Sequence, residues 1–218
     1  MSRYMIFAPH NDDEVLGVGG TMLKLARAGH DVIVCEATTG PNPERAERIK
    51  KEALKAHDIL QVKETVFLDL PVVRLNLVPK PEINAAFLRV VNEYRPEVVF
   101  IPHRGDIHID HQMTADASLV AVRPVDAPFV KRVYSYETLS ESEWSLPTPE
   151  NVFCANVFSE ITEEELEKKL EAMACFETQL RPFPQPRSLE SIKALARLRG
   201  STVCVQAAEA FRLVRQIF

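Results

Sequence analysis

Histidines and carboxylates concentrate in two short segments of the chain. The first is Ala8-Pro9-His10-Asn11-Asp12-Asp13-Glu14, the second His103-Arg104-Gly105-Asp106-Ile107-His108-Ile109-Asp110-His111. His10, His108 and His111 alone account for three of the six histidines. Imidazole and carboxylate donors suit zinc, whose catalytic sites keep three protein ligands and one open position for water. Such an ion lowers the pKa of its bound water from about 15.7 towards about 7 and polarises a carbonyl. Three ligands leave at least one aspartate and one histidine over. A carboxylate base with an imidazole acid is what metal-assisted amide hydrolysis requires. Residue types alone leave Asp12 and Asp13 interchangeable between ligand and base. An Asp-Asp pair ahead of a helix also serves as a cap and favours the helix dipole, but capping explains one cluster and not both.

Both segments follow an apolar strand, Tyr4–Ala8 and Val98–Ile101. Further strands are expected at Asp31–Ala37, Thr65–Leu70 and Arg132–Tyr136. Helices are expected at Gly19–Gly29, Glu44–Leu60, Ile83–Tyr94 and Met113–Val122, by apolar residues at helical spacing. Near-continuous apolar strands alternating with helices imply an α/β protein with a Rossmann-like, doubly wound, mostly parallel sheet covered on both faces. Ligands in such sheets bind outside the carboxyl ends of the strands, where the strand order reverses. If β-strands one and four are neighbours there, the two segments meet in one crevice.

The last third reads differently. Ser140–Val152 is a loop with the only tryptophan, Trp144. Thr162-Glu163-Glu164-Glu165 is a capping box that opens a helix to about residue 179. Pro182, Pro184 and Pro186 exclude a helix over Arg181–Arg187. Ser188–Arg199 forms another, stopped by Gly200. We read one domain, residues 1–218, with a core of about 1–138 and a C-terminal extension of about 139–218.

With 46% hydrophobic and 26% charged residues, the 218-residue chain is neither disordered nor fibrous. No apolar run reaches the roughly 18 residues that span a bilayer. The net charge of −5 and the lack of a basic stripe argue against nucleic acid. Four dispersed cysteines and the absence of an apolar leader predict reduced thiols in the cytoplasm. Gly17-Val18-Gly19-Gly20 lacks the third glycine of a dinucleotide fingerprint, since Met22 stands there. These glycines are expected to serve a tight loop and helix packing. His30 and His57 are expected on helix-terminal and helical surfaces.

The segments Ala8-Pro9-His10-Asn11-Asp12-Asp13-Glu14-Val15-Leu16-Gly17-Val18-Gly19-Gly20-Thr21 and His108-Ile109-Asp110-His111 resemble the motifs of the LmbE-like, or PIG-L, N-acetylglucosaminyl deacetylases. Phe67-Leu68-Asp69-Leu70-Pro71 and Ala208-Glu209-Ala210-Phe211 extend the resemblance across most of the chain. It implies zinc held by His10, Asp13 and His111, with Asp12 as general base. His108 would stabilise the oxyanion and help protonate the leaving amine, oriented and charged by Asp110. It also implies a small-molecule amino-sugar substrate, and homo-oligomers are common in the family. Two departures stand out: Asn11 replaces a proline, and Val72 replaces a substrate-binding aspartate. We assign Asn11, Arg48 and His103 to substrate binding. The expected reaction is zinc-dependent removal of the N-acetyl group from an N-acetylglucosamine-type sugar or its conjugate. The rival readings are an amidase for a larger acyl group of an amino-sugar thiol conjugate, and a non-catalytic metal- or sugar-binding protein.

Overall fold

A computed structural model describes residues 1–218. The chain runs β1 (Arg3–Ala8), α1 (Asp13–Arg27), β2 (Asp31–Thr39), α2 (Pro43–Ile59), β3 (Glu64–Pro71), α3 (Lys80–Tyr94), β4 (Val98–Pro102), α4 (Ile109–Ala121), β5 (Arg132–Tyr136), β6 (Val157–Glu160), α5 (Glu163–Ala174), α6 (Leu189–Thr202) and β7 (Ala208–Gln216). One seven-stranded sheet has the order β3-β2-β1-β4-β5-β7-β6. Strands β1 to β5 pair in parallel, and β7 is antiparallel to both β5 and β6. The doubly wound, mostly parallel sheet read from the sequence is therefore the observed fold.

Strands β1, β2 and β4 are buried over nearly their whole length, because helices cover both faces. Successive residues serve opposite faces. Ile6 and Val34 pack with Leu16, Ala53, Ala56 and Met173 on one side, under α1, α2 and α5. Met5, Phe7 and Ile33 pack with Phe87, Val91 and Ala117 on the other, under α3 and α4. No helix is long and apolar enough to cross a membrane.

Helix α1 begins at Asp13, earlier than the expected Gly19, so Gly17, Gly19 and Gly20 lie inside a helix and not in a loop. Close packing outweighs their poor helix propensity. A Cβ at Gly17 would collide with the Tyr136 ring, and one at Gly20 would come within 2.8 Å of Ile161 Cδ1. Helix α5 ends at Ala174, short of residue 179. Its capping box forms as read: Glu165 N donates to Thr162 Oγ1 (3.2 Å) and Thr162 N to Glu165 Oε2 (2.7 Å). Helix α6 continues through Gly200 to Thr202. That glycine admits the backbone of Ala207, whose Cα would lie 2.7 Å from an added Cβ.

The C-terminal third also holds two strands that its sequence pattern did not announce. Strand β7 lies between β5 and β6, and its Phe211 joins the core formed with Tyr4, Ile6, Phe100 and Tyr136. Glu209 on β7 accepts from Gly20 N (2.9 Å) and Thr21 N (2.7 Å) in α1 and from Lys169 Nζ (2.6 Å) in α5. Lys169 also donates to Leu16 O at 2.8 Å. This buried ion pair ties α1, α5 and β7 together.

Candidate active site

Strands β1 and β4 are neighbours in register, Tyr4 opposite Val98 and Ile6 opposite Phe100. From β1 the chain crosses to β2 on one side, and from β4 it crosses to β5 on the other. The two motif segments therefore leave adjacent strand ends at the switch point. Thr38, at the end of β2, anchors the first loop by donating both N (3.1 Å) and Oγ1 (2.7 Å) to Pro9 O. Gly105 makes the second loop possible, because a Cβ there would collide with Asn151 O.

His10, Asp13 and His111 converge, with one donor atom from each within 4.8 Å of the others. Asp13 Oδ2 lies 3.3 Å from His10 Nδ1 and 3.1 Å from His111 Nε2. Partners behind the imidazoles set which nitrogen faces the cluster. His111 Nδ1 donates to Asp106 Oδ2 (2.9 Å), and His10 Nε2 donates to Asp110 Oδ2 (3.2 Å). Asp106 is itself held by the Ser142 hydroxyl at 2.5 Å. Carboxylates behind ligating histidines fix the tautomer and raise the basicity of the facing nitrogen. His111 Nε2 and Asp13 Oδ1 are buried with no hydrogen-bond partner. Two imidazoles backed by carboxylates and an orphaned carboxylate oxygen fit a divalent cation such as zinc.

The charges of the cluster reflect its burial. Burial lowers the pKa of His111, but Asp13 and Asp106 outweigh it and hold it at about 10. Burial acts likewise on His10, where Asp110 and Asp13 bring the value to about 9. Asp13 stays well below the usual carboxylate range, since His111 and His10 overcome its burial.

Asp12 stands at the N-cap position of α1 but makes no side-chain cap. Its Oδ2 instead accepts from Arg187 Nη1 at 3.0 Å. Burial pushes the Asp12 carboxyl up to about 7 against the pull of Arg187. His108 caps α4, its Nδ1 accepting from Asp110 N at 3.1 Å, so the ring proton sits on Nε2. Burial and the neighbouring His10 and His111 push His108 down to about 4, which keeps it neutral.

Asp110 does not back His108, as the resemblance implied. Its carboxylate turns to His10 and accepts from Val73 N (2.6 Å) and Leu75 N (3.3 Å), because the turn after β3 offers it backbone donors. His103 also lies elsewhere: its Nε2 pairs with Asn151 O at 2.8 Å and its ring stacks edge-on against Phe153. Arg48 points outward on α2, pairing with Glu52 (3.2 Å) and Glu177 (3.0 Å). Asn11 does line the cavity, with its Nδ2 buried and unpartnered.

The cavity has a volume of about 640 Å³ and contains His10, Asp12 and His108 in its wall. That is in the usual range for a small-molecule site. Trp144, half exposed, forms part of the wall. Sequence reasoning missed Arg187, which grips Asp12 and Glu141 (3.3 Å). It also missed the role of Asp106 behind His111. His57 is buried and not on a surface, with its Nε2 3.1 Å from Glu14 Oε1 and 3.7 Å from Glu36 Oε1. Its signal was present: it lies four residues after Ala53 on the apolar face of α2.

Fold and site together define a Rossmann-like protein with a buried acid–imidazole centre at the sheet's switch point. The family model described as PIG-L, GlcNAc-PI de-N-acetylase, matches residues 5–122, and the chain belongs to that family. The uncharacterized deacetylase YaiS of Escherichia coli K12 is 28% identical over 169 residues, 75% of this chain and 84% of the relative. The diacetylchitobiose deacetylase of Thermococcus kodakarensis is 28% identical over 151 residues, 61% of this chain and 53% of that protein. The crystal structure of the conserved protein TT1542 from Thermus thermophilus superposes with a TM-score of 0.80 at 25% identity, covering 100% of this chain and 97% of the other.

Proposed function

We propose that this chain is a zinc-dependent deacetylase that releases acetate from an N-acetylated amino sugar or its conjugate. His10, Asp13 and His111 hold the ion in this reading. When bound, zinc supplies a water of lowered pKa and a Lewis acid for the acetyl carbonyl. The observation that carries the reading is Asp12. It leaves its helix uncapped, lines the cavity beside the ligand cluster and is positioned by Arg187.

Asp12 accepts the proton of the attacking water. His108 presents its Nε2 proton to the oxygen on which charge develops, and removal of such a donor typically lowers a rate about 10²–10³-fold. Asp12, protonated by the water it activates, and His108 stand beside the leaving nitrogen to return a proton to it. Asp110 and Asp106 hold the His10 and His111 rings in place. Trp144 offers an apolar face against which a sugar ring packs. The family match and the named deacetylases among its relatives support the acetamide as the target.

The test is acetate release from a panel of N-acetylated sugars by protein of measured zinc content, with and without chelator. Chelator-sensitive release supports the proposal. A zinc-loaded protein that releases no acetate overturns it, and favours the larger-acyl amidase or the non-catalytic binder.

A further inference from the structure

A second group of metal-type donors lies inside the core, and none of its members lines the cavity. Glu14 from α1, Glu36 from β2 and His57 from α2 bring one donor atom each within 4.8 Å of the others. All three residues are at most 2% exposed. Glu36 continues the face of β2 that carries Val32 and Val34 into the core under α1 and α2. His57 shares the buried side of α2 with Ala53 and Ala56. The chain thus sets two acids and an imidazole where a core calls for apolar side chains.

The protein satisfies only part of this group. His57 Nε2 lies 3.1 Å from Glu14 Oε1 and 3.7 Å from Glu36 Oε1. Glu14 Oε2 and both oxygens of Glu36 are buried without any hydrogen-bond partner. One imidazole, even when protonated, cannot offset two buried carboxylates, and an uncompensated buried charge is strongly destabilising. Burial and the charges of Glu14, Asp12 and Asp13 push the Glu36 carboxyl well above the usual range, against the pull of Lys50, which is paired with Asp69. A divalent cation offsets both carboxylates at once. His57 Nδ1 lies 2.8 Å from Thr65 Oγ1. When Nδ1 donates there, Nε2 turns its lone pair to the group, which is how ligating histidines are backed. Glu14 Oε1, both Glu36 oxygens and His57 Nε2 then make four donors, the number a structural zinc takes. An imidazole among carboxylates favours zinc or another first-row transition ion over calcium or magnesium.

We propose that Glu14, Glu36 and His57 form a second metal site, which binds a zinc-type divalent cation and ties β2 to α1 and α2. The site is structural, and its ion enters as the chain folds, because the finished site is closed to solvent. Helix α1 begins at Asp13, so the ion also steadies the segment that carries Asp12 and Asp13. The inference does not depend on the deacetylase reading.

The experiment counts metal ions per chain by plasma emission, in protein purified from zinc-supplemented cells and dialysed against metal-free buffer. Wild type, His111→Ala, Glu36→Gln and His111→Ala/Glu36→Gln are compared, with circular dichroism checking that each folds. His111→Ala disables the first cluster, and Glu36→Gln replaces a carboxylate of the second by an amide of the same shape. We expect two ions in wild type, one in each single variant and none in the double variant. One ion in both wild type and His111→Ala, lost in the double variant, supports the second site and removes zinc from the first. No ion in folded His111→Ala overturns the inference. An ion kept by the double variant overturns the assignment to Glu36. If His111→Ala does not fold, wild type against Glu36→Gln decides: loss of one ion supports the site, and equal content overturns it.

Discussion

Arg187 Nη1 lies 3.0 Å from Asp12 Oδ2, joining residues 175 positions apart. The guanidinium also donates from Nε to Ser140 Oγ at 2.8 Å, so its position is fixed from two sides. Its charge opposes the burial that drives the Asp12 carboxyl upward. Arg187→Met removes that opposition, so the pKa of Asp12 rises. A base must be deprotonated to act, so the acid limb of the pH–rate profile moves to higher pH and activity at neutral pH drops. Arg187→Lys restores part of the shift. An acid limb that does not move in the methionine variant contradicts this coupling.

Asp12→Asn separates base from ligand. The variant keeps its metal, because His10, Asp13 and His111 are untouched. Turnover falls by about 10²–10⁴, the usual contribution of a positioned base. Metal analysis and acetate release on one preparation check both halves. A near wild-type rate removes Asp12 from the mechanism.

Metal retention is expected to follow the imidazoles and the carboxylates behind them. His111→Ala loses the ion on dialysis. Asp106→Asn, which changes only the acceptor behind His111 Nδ1, weakens affinity about 10–100-fold. Competition with a chromogenic chelator measures both, and an Asp106→Asn variant of unchanged affinity would show that the 2.9 Å contact does not tune the ligand.

Stability is expected to hinge on the Lys169–Glu209 pair. Lys169→Met leaves the Glu209 charge buried without its cation, and breaking such a pair destabilises by about 3–5 kcal/mol. Lys169→Met/Glu209→Gln recovers part of the loss. Urea unfolding of the three proteins tests this, and a double variant no more stable than Lys169→Met contradicts the pairing.

The sheet and the two motif loops were legible because local signals carry them. Apolar strands, each followed by a helical repeat, specify parallel pairing. Histidines and aspartates at two strand ends specify a site once β1 and β4 adjoin. Asp12 and Asp13 were told apart only by family resemblance, since their chemistry is alike; in the structure Asp13 Oδ2 lies against both imidazoles, whereas Asp12 Oδ2 accepts from Arg187. Strand β7 was hidden because Glu209, Arg212 and Arg215 break the apolar run that marks a central strand. Arg187 was hidden because it ends a proline-rich loop with no periodicity, and only tertiary contact gives it meaning. Arg48 was assigned to the substrate, whereas of these two α2 arginines it is Arg45 that lines the cavity. The rotation of α2 about its axis, which the sequence pattern resolves poorly, decides which of them faces the cavity.

Strand β6 pairs with no strand other than β7. During synthesis, at about 5–20 residues per second, both motif loops emerge well before Arg187 and before the strand that fills the gap between β5 and β6. The nascent chain therefore carries its candidate ligands early but keeps an uncovered Asp12 and an open sheet edge until translation has passed β7. Until β7 docks, the exposed edge of β5 is the segment that a chaperone has most reason to cover.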